Sequence, residues 1–156
     1  WDNIERISEG ILKMEGLISI TPNRERAIHI LRIAEITVAR LKITDTKEFV
    51  TLTTKDYYDV IKELMTAVAL LDGYKSAGEG AHKMLIEYIG TKYKEFKAHE
   101  IQTINDLREK RNRTYYEGLL LPEDYLEKRR EDINSSIIKL KQILKDRLGD
   151  SFTQTS

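Results

Sequence analysis

The chain has 156 residues, with 26 Lys and Arg balancing 26 Asp and Glu, three His and no Cys. That length suits one domain with one core, and the absence of cysteine excludes a disulfide framework and thiolate-bound zinc or iron–sulfur clusters. A metal would have to rest on histidines and carboxylates, so neither a metal nor another cofactor is expected, and the even charge balance leaves only a local basic patch, REKRNR at 108–113, for a nucleic-acid partner.

No stretch approaches the roughly 20 apolar residues needed to span a bilayer. The opening WDNIERISEG lacks the basic-then-apolar order of a signal peptide, so a cytoplasmic protein is expected. The first residue is not Met, which leaves room for an N-terminal extension.

Helical periodicity runs through nearly the whole chain, interrupted by only two prolines and eight glycines, and strand-like alternation is absent. Ile4, Ile7, Ile11, Met14 and Ile18 place one apolar stripe on a first helix that ends before Thr21. Thr21 then caps a second helix, with Pro22 at its first position, where the missing N–H would be unpaired anyway. Residues 27–43 are apolar on most faces, which predicts that this second helix is the central one. TDTKEFVTLTT is a connector, and Tyr57, Ile61, Leu64, Val68 and Leu71 mark a third helix running to about Tyr74.

KSAGEG breaks that helix, and a short fourth one carries Leu85, Ile86, Tyr88 and Ile89, with Gly90 as its C-terminal cap. A fifth helix spans Ala98 to Glu117, closed by Gly118, and Pro122 opens a sixth with the stripe Leu126, Ile133, Ile137, Leu140, Leu144 and Leu148. Lys128, Arg129 and Arg130 with Glu127, Glu131 and Asp132 give that last helix a solvated, self-paired face. The fold expected is an all-α, up-down bundle of five to six helices, one domain over 1–149, followed by a flexible polar tail at 150–156.

The fifth helix carries the chemistry. At 100° per residue Ile104, Leu107, Arg108, Arg111 and Tyr115 share one broad face, so two guanidiniums and a phenol stand where packing alone would place leucine. A buried arginine needs a partner. Either an acid on a neighbouring helix supplies it, such as Glu63 or Asp72, or the arginines line a cleft, within or between subunits, where a phosphate does.

Arg108-Glu109-Lys110-Arg111-Asn112-Arg113-Thr114-Tyr115-Tyr116-Glu117-Gly118 resembles the signature of HEPN domains: Arg, usually followed by Asn, then His after four to six residues. The helical order and the segment DGYKSAGEGAHKMLIEYI are similar to archaeal HEPN proteins. The resemblance implies a bundle of four to five helices that forms a two-fold homodimer, with the motif from each subunit facing a shared cleft. It also implies RNA or nucleotide binding, metal-independent ribonuclease activity, and a role as the toxin of a pair with a small nucleotidyltransferase antitoxin.

By that resemblance Arg111 is the motif arginine and would hold the scissile phosphate, with Arg108, Asn112, Arg113 and Tyr115 around it as phosphate or RNA ligands. Tyr116 occupies the place of the histidine that would take the 2′-OH proton. Phenol is a poor base: a pKa of about 10 leaves roughly one phenolate per thousand at pH 7, a loss of about 4 kcal/mol. Tyr116 can still donate to a phosphate or stack on a base, which implies RNA or nucleotide binding with weak or lost cleavage, and Tyr116→His is expected to raise cleavage if residue 116 points into the cleft. The alternative is a non-catalytic module in which these residues hold the bundle or a dimer together.

Among the histidines, His29 reads as a core or interface residue of the central helix, and His99 sits in a charged turn. Glu79 and His82 have the Glu-x-x-His spacing of di-iron bundles, but such a site needs a second copy and two more glutamates. His82 could instead serve as a base from another helix, though no motif marks it. No Gly-x-Gly-x-x-Gly, phosphate-binding loop or Gly-x-Ser-x-Gly turn is present.

Overall fold

A computed structural model describes residues 16–78 and 80–149. Within them the chain is an all-α bundle of five helices with one small two-stranded sheet: β1 (Leu17–Ser19), α1 (Arg24–Lys42), α2 (Val50–Asp72), β2 (Tyr74–Ser76), α3 (Ala81–Lys92), α4 (Ala98–Glu117) and α5 (Arg130–Leu148), the last preceded by a 3₁₀ turn at Glu127–Arg129. No helix among the described residues is long and apolar enough to cross a membrane. Ile4, Ile7, Ile11, Met14, Glu79 and the tail 150–156 lie outside the described residues.

The central helix is α2, not the helix at 27–43. Twelve of the 23 residues of α2 are buried, and it packs against all four of the other helices. In α1 only Ala27, Leu31, Ala34 and Leu41 are buried, on one stripe, while Ile33 and Ile36 are 65% and 71% exposed and His29 faces solvent rather than the core. All-round apolarity tells how many faces a helix can bury, not which helix receives neighbours on every side. The start of α1 also differs: Asn23, not Thr21, caps it, its side-chain oxygen accepting from Arg26 N at 3.0 Å, so Pro22 lies before the cap.

The connector at 44–54 is shorter than expected, because α2 begins at Val50 after a turn in which Asp45 accepts from the amides of Lys47 and Glu48. Ile61, Leu64 and Val68 of the expected stripe are buried, with Tyr57 and Leu71 packed at its margin. Gly73 then ends α2 in the left-handed conformation, φ 88°, and the chain turns directly into β2.

β2 pairs antiparallel with β1, in the register Leu17 with Ser76 and Ser19 with Tyr74. Ile18 therefore belongs to a strand and not to a helical stripe. Three-residue strands are too short to show alternation, and their pairing joins segments far apart in sequence, so periodicity could not reveal them.

Gly90 is inside α3 rather than at its cap. A Cβ there would lie 3.2 Å from Ile101 Cγ1, so the glycine lets α3 and α4 approach closely, and the helix continues to Lys92. α4 has the expected limits, closed by Gly118 at φ 67°. Pro122 does not open α5: a turn and the 3₁₀ segment intervene, with Tyr125 N donating to Pro122 O at 3.0 Å. The whole stripe from Leu126 to Leu148 is nonetheless buried. The acidic and basic face of α5 is only partly self-paired. Lys128 meets Asp124 at 3.0 Å, but Arg129 reaches Asp106 on α4 and stacks over Tyr125, and Asp132 holds His99 and Thr103 at 2.8 Å each.

Candidate functional site

Ile104 and Leu107 point α4 into the core, which sets Arg108 and Arg111 at the margin of the buried face. The Arg111 side chain is 22% exposed, and its Nε lies 3.7 Å from Asp59 Oδ1 on α2. That is an ion pair without a hydrogen bond, and the acid is Asp59 rather than Glu63 or Asp72. Glu63 pairs with its neighbour Lys62, and Asp72 is taken by Arg147 and Lys92. Arg111 also touches Asn112 Oδ1 at 3.5 Å and lies 5.8 Å from the centroid of the Tyr115 ring.

The Nε atoms of Arg108 and Arg111 are both buried without a hydrogen-bond partner among the described residues. Asp59 cannot neutralise them, since its other oxygen lies 3.6 Å from Lys55. Lys55, Lys62 and Arg111 thus share Asp59 and Glu63, and Arg108 has no ion pair among the described residues, which leaves a local excess of positive charge on a chain of zero net charge.

Two aromatic residues complete the group. Tyr58 on α2 is fully buried, its hydroxyl has no partner among the described residues, and its ring packs against His82, the second residue of α3, with centroids 6.1 Å apart. Burial pushes the Tyr58 hydroxyl up to about 12, the charges of Arg108 and Arg111 opposing it. Burial also lowers the His82 pKa below its ordinary value, and the charges of Lys62, Arg111 and Arg108 add to the effect. Both effects disfavour the imidazolium, and the ring makes no hydrogen bond or ion pair among the described residues.

The motif residues do not all meet here. Arg113 turns outward to pair with Glu117 at 3.0 Å, and Lys110 pairs with Asp106 at 3.3 Å, so REKRNR is divided between faces. Tyr115 and Tyr116 are 69% and 78% exposed and pack edge to face at 5.2 Å, which puts the Tyr115 ring between Arg111 and Tyr116 in the chain of contacts. Tyr58, Asp59 and Lys62 were not legible as site residues. Their positions beside the apolar stripe of α2 are polar, but only packing turns that side toward α4. The described residues contain no group of three or more His, Asp or Glu side chains able to hold a metal ion. Comparisons with protein-family models, with curated proteins and with solved structures found no match.

Proposed function

We propose that this chain is a HEPN-like domain whose α2–α3–α4 face binds the phosphate backbone of single-stranded RNA or a nucleotide. One observation carries the reading: two adjacent guanidiniums with buried, unpartnered Nε atoms, in a patch with more cations than carboxylates. A phosphate at the exposed part of the Arg111 side chain supplies the missing negative charge. Tyr115 and Tyr116, exposed at the same end of α4, offer stacking surfaces for bases.

Fluorescence anisotropy of a labelled mixed-sequence RNA tests this, with Arg108→Ala and Arg111→Ala as variants. Binding should weaken at least about tenfold in each, while stability stays within about 1 kcal/mol, because the Asp59 contact is long and unbonded. Unchanged RNA binding with several kcal/mol lost from stability would instead make the arginines structural.

A second reading, as an interaction module, is favoured by the exposed isoleucines of α1. Ile33 lies with Ile30, Ala34 and Val60 in a groove of about 300 Å³ that also contains Asp59, the partner of Arg111. A two-fold dimer through this face would place an apolar interface beside the arginine site. The two readings are compatible, and a small nucleotidyltransferase encoded next to this chain would extend them to a toxin and antitoxin pair.

A further inference from the structure

We infer that the cavity between the end of α1, the N-terminal half of α2 and the start of α5 is a binding site for a small organic carboxylate with a hydrocarbon or aromatic body. The inference stands apart from the RNA-binding reading. No residue of the arginine patch lines this cavity, and Tyr57, which does, stands about 100° around α2 from Tyr58, which does not.

The cavity holds about 200 Å³, the liquid volume of about seven waters at about 30 Å³ each. That is the scale of a benzene ring with one substituent, below the roughly 300 to 1,000 Å³ of sites for drug-sized ligands. Its inner wall is apolar and comes from separate segments: Leu41 of α1, Leu126 before the 3₁₀ turn and Ile133 of α5, all buried. Such a wall takes up hydrocarbon, not a hydrated ion.

The outer side is cationic. Lys42, in the last turn of α1, and Arg130, the first residue of α5, both line the cavity, and no carboxylate does. Neither side chain makes an ion pair or hydrogen bond among the described residues. Cations close to them in the chain are paired, Arg40 with Asp56 and Arg129 with Asp106. Two positive charges therefore border a small cavity without an anion to balance them.

Three neutral donors accompany these charges: the hydroxyls of Thr46 and Tyr57 and the side-chain amide of Asn134, none of them hydrogen-bonded among the described residues. Tyr57 is kept in its neutral, donating form, since burial raises its pKa by more than the charge of Arg130 lowers it. Thr46 belongs to the connector between α1 and α2, so an anion held here would join that connector to the starts and ends of three helices.

The division of the lining selects a carboxylate over a phosphate. A carboxylate carries both oxygens at one end of an apolar body, matching a cationic side and an apolar wall. The oxygens of a phosphate point in all directions, and those facing Leu41, Leu126 and Ile133 would lose water without gaining a donor.

The test titrates the full chain with benzoate and follows amide chemical shifts by NMR, with benzamide and inorganic phosphate as further probes. Benzoate should shift the amides around Thr46, Leu126 and Asn134 with a dissociation constant of about 1 mM or below. Benzamide, the same ring without the charge, and phosphate, the charge without the ring, should each bind at least about tenfold more weakly. Lys42→Gln and Arg130→Gln, at exposed positions that leave the fold intact, should each weaken benzoate binding about tenfold, while Arg111→Gln should change it by less than about twofold. Absence of saturable shifts at these amides up to about 20 mM benzoate, equal affinity for benzoate and benzamide, or full binding by Arg130→Gln overturns the inference. Loss of benzoate binding in Arg111→Gln but not in Arg130→Gln would move the ligand to the arginine patch and overturn it as well.

Discussion

Asp72, at the end of α2, is bound by Arg147 from the last turn of α5, and its carboxylate is entirely buried. The hydroxyls of Tyr88 and Tyr93 donate to it at 2.5 and 2.7 Å, and Lys92 approaches to 3.2 Å. One acid therefore fastens the ends of α2, α3 and α5 together. Asp72→Ala would leave two phenols and a guanidinium without their acceptor. A loss of about 3 kcal/mol is expected, read from the urea midpoint with far-ultraviolet circular dichroism unchanged in water.

Acid should destabilise the protein in two stages. Burial works to raise the pKa of Asp72, but hydrogen bonds from Tyr88, Tyr93 and Arg147 outweigh it and hold the group below its ordinary value. For Glu100, burial is likewise overcome by Lys139, Ser135 and the Lys97 amide. A depressed carboxylate stabilises the fold above its unfolded pKa of about 4 and loses that contribution as pH falls through the folded value. His82 is also depressed, so the unfolded chain takes up a proton first, and stability begins to fall below about pH 6.5. Urea midpoints between pH 7.5 and 3 should show both declines, and His82→Gln should remove only the upper one.

Gly73 and Gly118 separate backbone cost from steric cost. Both have positive φ, 88° and 67°, but a Cβ at Gly73 would lie 3.2 Å from the Ile20 carbonyl oxygen, whereas one at Gly118 would meet nothing within 4 Å. Gly118→Ala should cost about 1 kcal/mol and Gly73→Ala about 2 to 3 kcal/mol, since the β1–β2 junction must also shift. Equal losses in thermal unfolding would mean that the Ile20 contact relaxes freely.

The exposed face of α1 predicts an oligomer. Ile33→Glu and Ile36→Glu place charges on a surface the monomer does not bury, so the monomer should remain folded while a dimer dissociates. Light scattering at micromolar concentration checks it: native and variant proteins of identical mass would count against this face.

At the end of α4, Tyr115→Ala should weaken RNA binding by about 1 to 3 kcal/mol, the usual worth of one stacked base, with stability almost unchanged for so exposed a ring.

What the sequence by itself determined was local. A 3.6-residue period marked the helices, Gly118 closed α4 where expected, and the buried stripe from Ile133 to Leu148 was readable residue by residue. Helical hydrogen bonds and caps join residues at most a few positions apart, so their signals are written in adjacent residues. Tertiary structure decided the neighbours. It made α2 rather than α1 the central helix, used Gly90 for close approach to Ile101 instead of a cap, and paired β1 with β2. It gave Arg111 the partner Asp59 and packed the His82 ring against Tyr58. These relations depend on which faces of separate helices pack together, and a guanidinium or an imidazole carries no local periodicity that names the element it will meet.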